Sequence, residues 1–311
     1  MERTSVCGLL LKGLGGRYEI LGEDGNIYIC RGKGSLRRDV GKLQIGDRVS
    51  LRIEDETPDG IMIEAVLPRK NSLIRPPLSN LDAFWLVIAA AHPAPALDTS
   101  DKMLAICEYL HITPAVLVTK ADEAPEEADR IAALYKKAGF DAFAVSSVTG
   151  QGIEAVRCHV SASLAGGRIG AFAGASGVGK STLINCLFPG LFRETGELSQ
   201  KTMRGKHTTR SVELLSVPGT EGFLADTPGF SLLDFERFDF FPLDALVDCF
   251  REFPAFAAKC RYGDCTHVKE GAEECAVRRA VAEGQISESR YAGYTALYET
   301  LKTKEENFYN K

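Results

Sequence analysis

Gly174-Ala175-Ser176-Gly177-Val178-Gly179-Lys180-Ser181 fits G-x-x-x-x-G-K-[ST] at every fixed position. Chemistry explains the spacing. Glycines at 174, 177 and 179 let the backbone curl until successive N–H groups face phosphate oxygens, and the helix that follows adds its positive end. Lys180 reaches the β- and γ-phosphates as a mobile charge, and Ser181 offers a hydroxyl to magnesium. Thr182, next in the first helical turn, completes the phosphate-binding set. Residues 168–173 read as a buried strand entering the loop, and 181–188 as a helix leaving it, closed by Pro189-Gly190. Strand, loop and helix in that order predict an α/β domain with a nucleotide-phosphate site.

At 311 residues the chain is long enough for two or three domains. Its 45% apolar and 25% charged residues are those of a globular protein. Neither a secretory leader nor a membrane span is legible, since the longest apolar run ends by Ala91, and a cytoplasmic protein is expected. Nine scattered cysteines, an odd number, speak against a disulfide framework. A net charge of −5 excludes a generally basic nucleic-acid binder, so any such contact must come from local patches.

The first seventy residues or so alternate short β-type runs with turns. Strands are expected at 18–21, 26–30, 48–53 and 61–67, with Val49, Leu51 and Ile53 facing one way and Arg48, Ser50 and Arg52 the other. About five strands of this kind suit an all-β OB-type barrel. Between two of them, Arg31, Lys33, Arg37, Arg38 and Lys42 stand on a glycine-rich stretch with one acid. Such a loop suits RNA phosphate contact, or equally a solvated barrel loop. Tyr18 and Tyr28 suit base stacking or, more commonly, strand packing.

After a proline-containing linker, β and α patterns alternate: a buried strand over 82–89, a helix over 99–110 capped by Thr99 or Ser100, and a strand over 114–118. The last ends in Thr119-Lys120-Ala121-Asp122. A carboxylate there matches the adjacent N1–H and 2-amino donors of guanine, whereas adenine would leave it unpaired. Lys120 would lay its stem over the base. A helix and a strand lead on to Ser146-Ser147-Val148-Thr149-Gly150, a turn able to offer backbone N–H groups to guanine O6. Beyond the phosphate loop, Thr208 or Thr209 suits a magnesium-sensing switch. Asp226-Thr227-Pro228-Gly229 follows a strand pair, with Asp226 placed to hold magnesium through water and the Gly229 N–H to sense the γ-phosphate.

Near the C-terminus, Cys260-x4-Cys265-x-His267-x7-Cys275 supplies three thiols and an imidazole, a donor set for one structural tetrahedral zinc ion. Leu243, Leu246, Val247 and Phe250, and likewise Tyr291, Tyr294, Tyr298 and Leu301, have the spacing of helix-packing faces.

Together these motifs resemble the GTP-binding module in permuted order, with 119–122 and 146–147 ahead of 174–181, then 208–209 and 226–229. Cyclic reordering is cheap where the original ends lie close together at the surface. With a barrel before it and a Cys/His cluster behind, the whole chain resembles the RsgA family, the small-ribosomal-subunit-dependent GTPases. The resemblance implies an OB-fold barrel (1–68), a linker (69–81), a permuted P-loop GTPase domain (82–234) and a mostly helical zinc-binding domain (235–311). It implies a monomer that hydrolyses GTP to GDP and phosphate with Mg2+ and acts late in 30S subunit maturation, touching rRNA and ribosomal proteins. Two positions depart from the commoner GTPase pattern. Thr119 replaces Asn, which weakens either the contact to guanine N7 or the bracing of the phosphate loop. Phe230 stands where a water-orienting Gln is often found, which leaves His207 as the catalytic candidate. An ATP-dependent kinase or ATPase, and a non-catalytic RNA-binding scaffold, are the rival readings.

Overall fold

The computed structural model describes residues 4–32, 42–54, 60–74, 76–191, 212–226 and 240–309. They form two compact units, one of Met1–Ala83, Cys158–Phe172 and Phe188–Phe230, the other of Phe84–Arg157, Ala173–Leu187 and Ser231–Lys311.

The first unit holds five strands, four of them with period-two alternation: β1 (Thr4–Leu14), β2 (Arg17–Gly22), β3 (Ile27–Gly32), β4 (Arg48–Ile53) and β5 (Ile61–Val66). Their order is β1-β2-β3-β5-β4, and a β1–β4 pairing closes the ring. Only β3 and β5 run parallel, so this is a small closed barrel with no free edge. Leu10, Ile20, Cys30, Val49, Leu51 and Ile63 fill it and are fully buried. Each such aliphatic chain contributes roughly 1.5–3 kcal/mol. Arg48 faces out as expected, while Ile53, at the strand end, is only half-buried. β1, the longest strand, carries no alternation in Leu9-Leu10-Leu11, and its Lys12 pairs beyond the barrel with Glu213. Gly8 is required where β1 crosses β2, since a Cβ there would stand 2.6 Å from Ile20 Cγ2.

The stretch read as a linker has structure of its own. It forms a hairpin of β6 (Ser72–Leu73) and β7 (Leu78–Ser79). Beside it, fully buried Asp47 accepts from Arg69 Nε (2.6 Å) and Nη2 (2.8 Å) and from Ser79 Oγ (2.7 Å). In the same unit, Ile169–Phe172 belong to β11 (Ile169–Ala173), which pairs parallel with β13 (Phe223–Asp226). β13 pairs antiparallel with β12 (Glu213–Ser216).

The second unit holds β8 (Ala83–Ala89), β9 (Thr113–Thr119) and β10 (Asp141–Ala144), in the order β10-β9-β8, with β9 and β10 parallel. All seven residues of β8 are buried, as befits a strand covered on both faces. Helices α1 (Leu97–Tyr109), α2 (Pro125–Lys137) and α4 (Lys180–Leu187) accompany them, as does the start of α3 (Ile153–Leu164). α1 begins two residues earlier than expected, capped by neither Thr99 nor Ser100. The chain turns helical straight after Pro95-Ala96, and Ser100 Oγ donates instead to Ala96 O at 2.8 Å.

α5 (Pro254–Ala257), α6 (Ala276–Ala282) and α7 (Glu288–Tyr309) complete the unit. The stretch from Leu243 to Phe250 is a single 3-10 turn followed by further turns, not the helix its spacing suggested. Its backbone bonds span three residues, as from Cys249 N to Leu246 O, and Pro242 and Pro254 bound it. Tyr294, Tyr298 and Leu301 do form the buried face of α7. That helix packs on α1, where a Cβ on Gly293 would lie 2.5 Å from Asp101 Oδ2. At this crossing Arg290 is held by Asp101 (2.6 Å) and Glu252 (2.7 Å), with its guanidinium 4.5 Å from the Phe250 ring.

Candidate nucleotide site and metal cluster

The phosphate loop leaves β11 at Gly174, whose φ is +148° and whose Cβ, if it had one, would stand 2.2 Å from Val87 O. Gly177 and Gly179 also lie at positive φ. Buried Val178 pins the loop to the core, while Ser176, Ser181 and Thr182 stay exposed around the start of α4. Lys180 Nζ folds over the loop and donates to Gly174 O (2.7 Å) and Ala175 O (2.8 Å). Half burial pushes its pKa down. The ammonium thus holds the curl of the loop through carbonyl contacts that a phosphate can replace.

The base loop sits at the C-terminal end of β9, the edge where open α/β sheets bind ligands. Thr119 is buried, and its hydroxyl donates to Val178 O at 2.6 Å, with Ile88 O at 3.2 Å. That bond ties the base loop directly to the phosphate loop within one unit. Lys120 lies at φ +59°, with its ammonium on His92 O. Asp122 is exposed, and its Oδ1 accepts from Ser146 Oγ at 2.6 Å. Fully buried Ser146 in turn accepts the N–H groups of Val148 (3.2 Å) and Thr149 (3.1 Å). Those two N–H groups are therefore engaged within the turn. The structure thus gathers Thr119, Lys120, Asp122, Ser146 and Ser147 with residues 174–182.

Two contributors escaped the sequence reading. The His92-Pro93 segment receives Lys120 and reaches the phosphate loop, where Pro93 Cδ lies 3.8 Å from the position of a Cβ on Gly177. Its signal was available, as a proline-rich turn at the C-terminal end of a buried strand. Arg157 on α3 donates to Leu187 O (2.9 Å) and Cys186 O (3.1 Å), closing the C-terminal end of α4. A lone arginine far from the motif gives no such signal.

Asp226 closes β13, one residue past the Ala225–Ala171 pair. His207, Thr208, Thr209, Gly229 and Phe230 lie outside the described residues, as do Lys33, Arg37 and Arg38. Arg31 and Lys42, which flank that basic stretch, are exposed. Tyr28 is half-buried and donates to Asp24 Oδ2 at 2.6 Å, pinning its own hairpin turn.

Cys260, Cys265, His267 and Cys275 converge, with all four ligand atoms within 4.8 Å of one another. His267 Nδ1 is 3.5 Å from both Cys260 Sγ and Cys275 Sγ, and those sulfurs are 4.0 Å apart. A tetrahedral zinc with usual bond lengths demands S···N edges of about 3.6 Å and S···S edges of about 3.8 Å. The residues fit the ion. Burial lowers the His267 pKa, favouring the neutral ring that a metal needs. Outer contacts fix the ligands: Ala276 N donates to Cys260 Sγ (3.3 Å), Arg278 N to Cys275 Sγ (3.4 Å), and Tyr291 Oη to His267 O (2.8 Å). Among the described residues, no helix is long and apolar enough to cross a membrane.

The family described as RsgA GTPase matches residues 66–236, and the RsgA N-terminal domain matches 7–61. A small ribosomal subunit biogenesis GTPase RsgA from Caldanaerobacter subterraneus is 39% identical over 99% of this chain and 99% of its own length. A protein of the same description from Agathobacter rectalis is 37% identical, covering 97% of this chain and 100% of its own. Among solved structures, YjeQ from Thermotoga maritima superposes with a TM-score of 0.78 at 30% identity, over 96% of this chain and 99% of that one. YloQ, described as a circularly permuted GTPase, gives 0.75 at 29% identity, over 97% and 96% of the two chains.

Proposed function

This chain belongs to the RsgA family of circularly permuted GTPases and is a GTP hydrolase, and from that premise we propose that it binds GTP between its two loops and works on the small ribosomal subunit during late maturation. The observation that carries the site assignment is the 2.6 Å bond from Thr119 to Val178, which ties a guanine-type loop to a phosphate loop across the permuted order.

In this reading Asp122 selects the base through its carboxylate, and Ser146 orients that carboxylate. Lys120, fixed at His92 O, lays its stem over the ring. Residues 174–182 wrap the phosphates, and Lys180 exchanges its two carbonyl contacts for phosphate oxygens. Ser181, Asp226 and one of Thr208 and Thr209 are the proposed magnesium ligands, oxygen donors of the kind Mg2+ prefers. Bound there, the ion would neutralise charge on the β- and γ-phosphates. The Gly229 N–H senses the γ-phosphate, and His207 orients the attacking water, because Phe230 offers no polar group for it. Zinc held by Cys260, Cys265, His267 and Cys275 locks a region whose helices are short apart from α7.

The barrel is proposed to contact rRNA phosphates through Arg31, Lys33, Arg37, Arg38 and Lys42. The protein is read as a cytoplasmic monomer with segments 1–68, 69–81, 82–234 and 235–311. GTP hydrolysis measured with and without purified small subunits, across a salt series, tests the assignment. Turnover should rise with subunits, and the stimulation should weaken as salt displaces phosphate contacts. Turnover indifferent to subunits would sink it.

A further inference from the structure

We propose that this chain selects guanine without reading N7, and therefore accepts 7-deazaguanine nucleotides as well as guanine ones; this rests on the guanine site proposed above. N7 is an acceptor, so only a donor can recognise it. The Asn of the commoner motif carries two amide protons, enough to brace the phosphate loop and still offer one elsewhere. Thr119 carries a single hydroxyl proton.

The structure shows where that proton goes. Thr119 Oγ1 lies 2.6 Å from Val178 O and 3.2 Å from Ile88 O, both main-chain acceptors, in a residue that is 3% exposed. The hydroxyl is committed to bracing, and its remaining lone pairs would repel another acceptor. The neighbouring hydroxyl is spent as well, since Ser146 Oγ donates to Asp122 Oδ1 at 2.6 Å. The Val148 and Thr149 N–H groups are bound to Ser146 Oγ. Base choice is thereby concentrated in the Asp122 carboxylate, which meets the N1–H and 2-amino edge on the far side of the ring from N7.

The test is displacement of a fluorescent GDP from the full chain by GDP, 7-deaza-GDP, IDP and ADP. A 7-deaza-GDP affinity within about twofold of that for GDP is expected, because no hydrogen bond is lost. A threefold or greater preference for GDP over 7-deaza-GDP would overturn the inference. IDP keeps N7 but lacks the 2-amino group, and it should bind about tenfold or more weakly. Thr119→Val keeps the shape and removes the hydroxyl. It should weaken GDP and 7-deaza-GDP by the same factor, whereas a change of threefold or more in their ratio would show that the hydroxyl reads N7. ADP competing as well as GDP would instead sink the guanine site itself, an outcome distinct from a 7-deaza defect with ADP still excluded.

Discussion

Replacing Arg290 by Met should strip the second unit of its central buried charge. The side chains of Arg290 and Asp101 are 1% and 2% exposed, and that of Glu252 is 9% exposed. Removing one member of such a buried set typically costs about 3–5 kcal/mol, because the remaining charges stay desolvated and unpaired. The guanidinium contact with Phe250 at 4.5 Å is lost too, worth roughly 0.5–2 kcal/mol. Methionine restores some hydrocarbon packing, so a net loss of about 3–5 kcal/mol is expected, roughly 6–20 °C in Tm for a unit of this size.

The pH dependence supplies a sharper check. Burial, with the Glu252 charge acting in the same direction, pushes the Asp101 carboxyl up to about 6 from its usual 3.8, against the pull of Arg290 and Tyr135. A carboxyl whose folded pKa lies above its unfolded value stabilises the fold when protonated, and that contribution fades as pH rises through the folded value. Without Arg290 the carboxyl climbs further, so the deficit of the variant should be larger near about pH 8 than near about pH 5. Thermal unfolding by circular dichroism at both pH values measures it. A variant within about 1 kcal/mol of the parent, or a deficit equal at both pH values, would refute the reasoning. Asp101→Asn in the Arg290→Met background should recover part of the loss.

Asp122→Asn should weaken GDP by roughly ten- to a hundredfold and favour XDP, whose 2-oxo group accepts from the new amide; undiminished GDP affinity in equilibrium competition would count against the base assignment. Cys275→Ser should drop zinc from about one ion per chain to near zero by atomic absorption. It should also abolish amide protection over 260–282. Serine remains a good helix cap in place of the sulfur that accepts from Arg278 N, so a defect reports the metal and not the cap. Arg157→Gln should cost about 1–2 kcal/mol in urea unfolding by freeing the last carbonyls of α4. It should also raise the Kd for GDP severalfold, and unchanged values for both would remove its positioning role.

Local rules made much of this protein legible. A phosphate loop is a short-range device, whose glycines, lysine and hydroxyl stand within one turn of each other, so spacing alone revealed residues 174–182. The Cys260–Cys275 cluster was legible for the same reason, since donor chemistry constrains sequence wherever the ligands share one loop. Period-two alternation exposed four barrel strands, whereas β1 stayed hidden because the run Leu9-Leu10-Leu11 breaks the apolar–polar alternation by which a strand is read. Whether Thr119 braces a loop or reads a base depends on a carbonyl fifty-nine residues away. Asp101 reads as an ordinary surface acid of an amphipathic helix until Arg290, 189 residues on, is folded against it. Spacing reports what one turn or one strand imposes on its own residues; which donor is already spent, and which charge is buried, is decided only when distant segments meet.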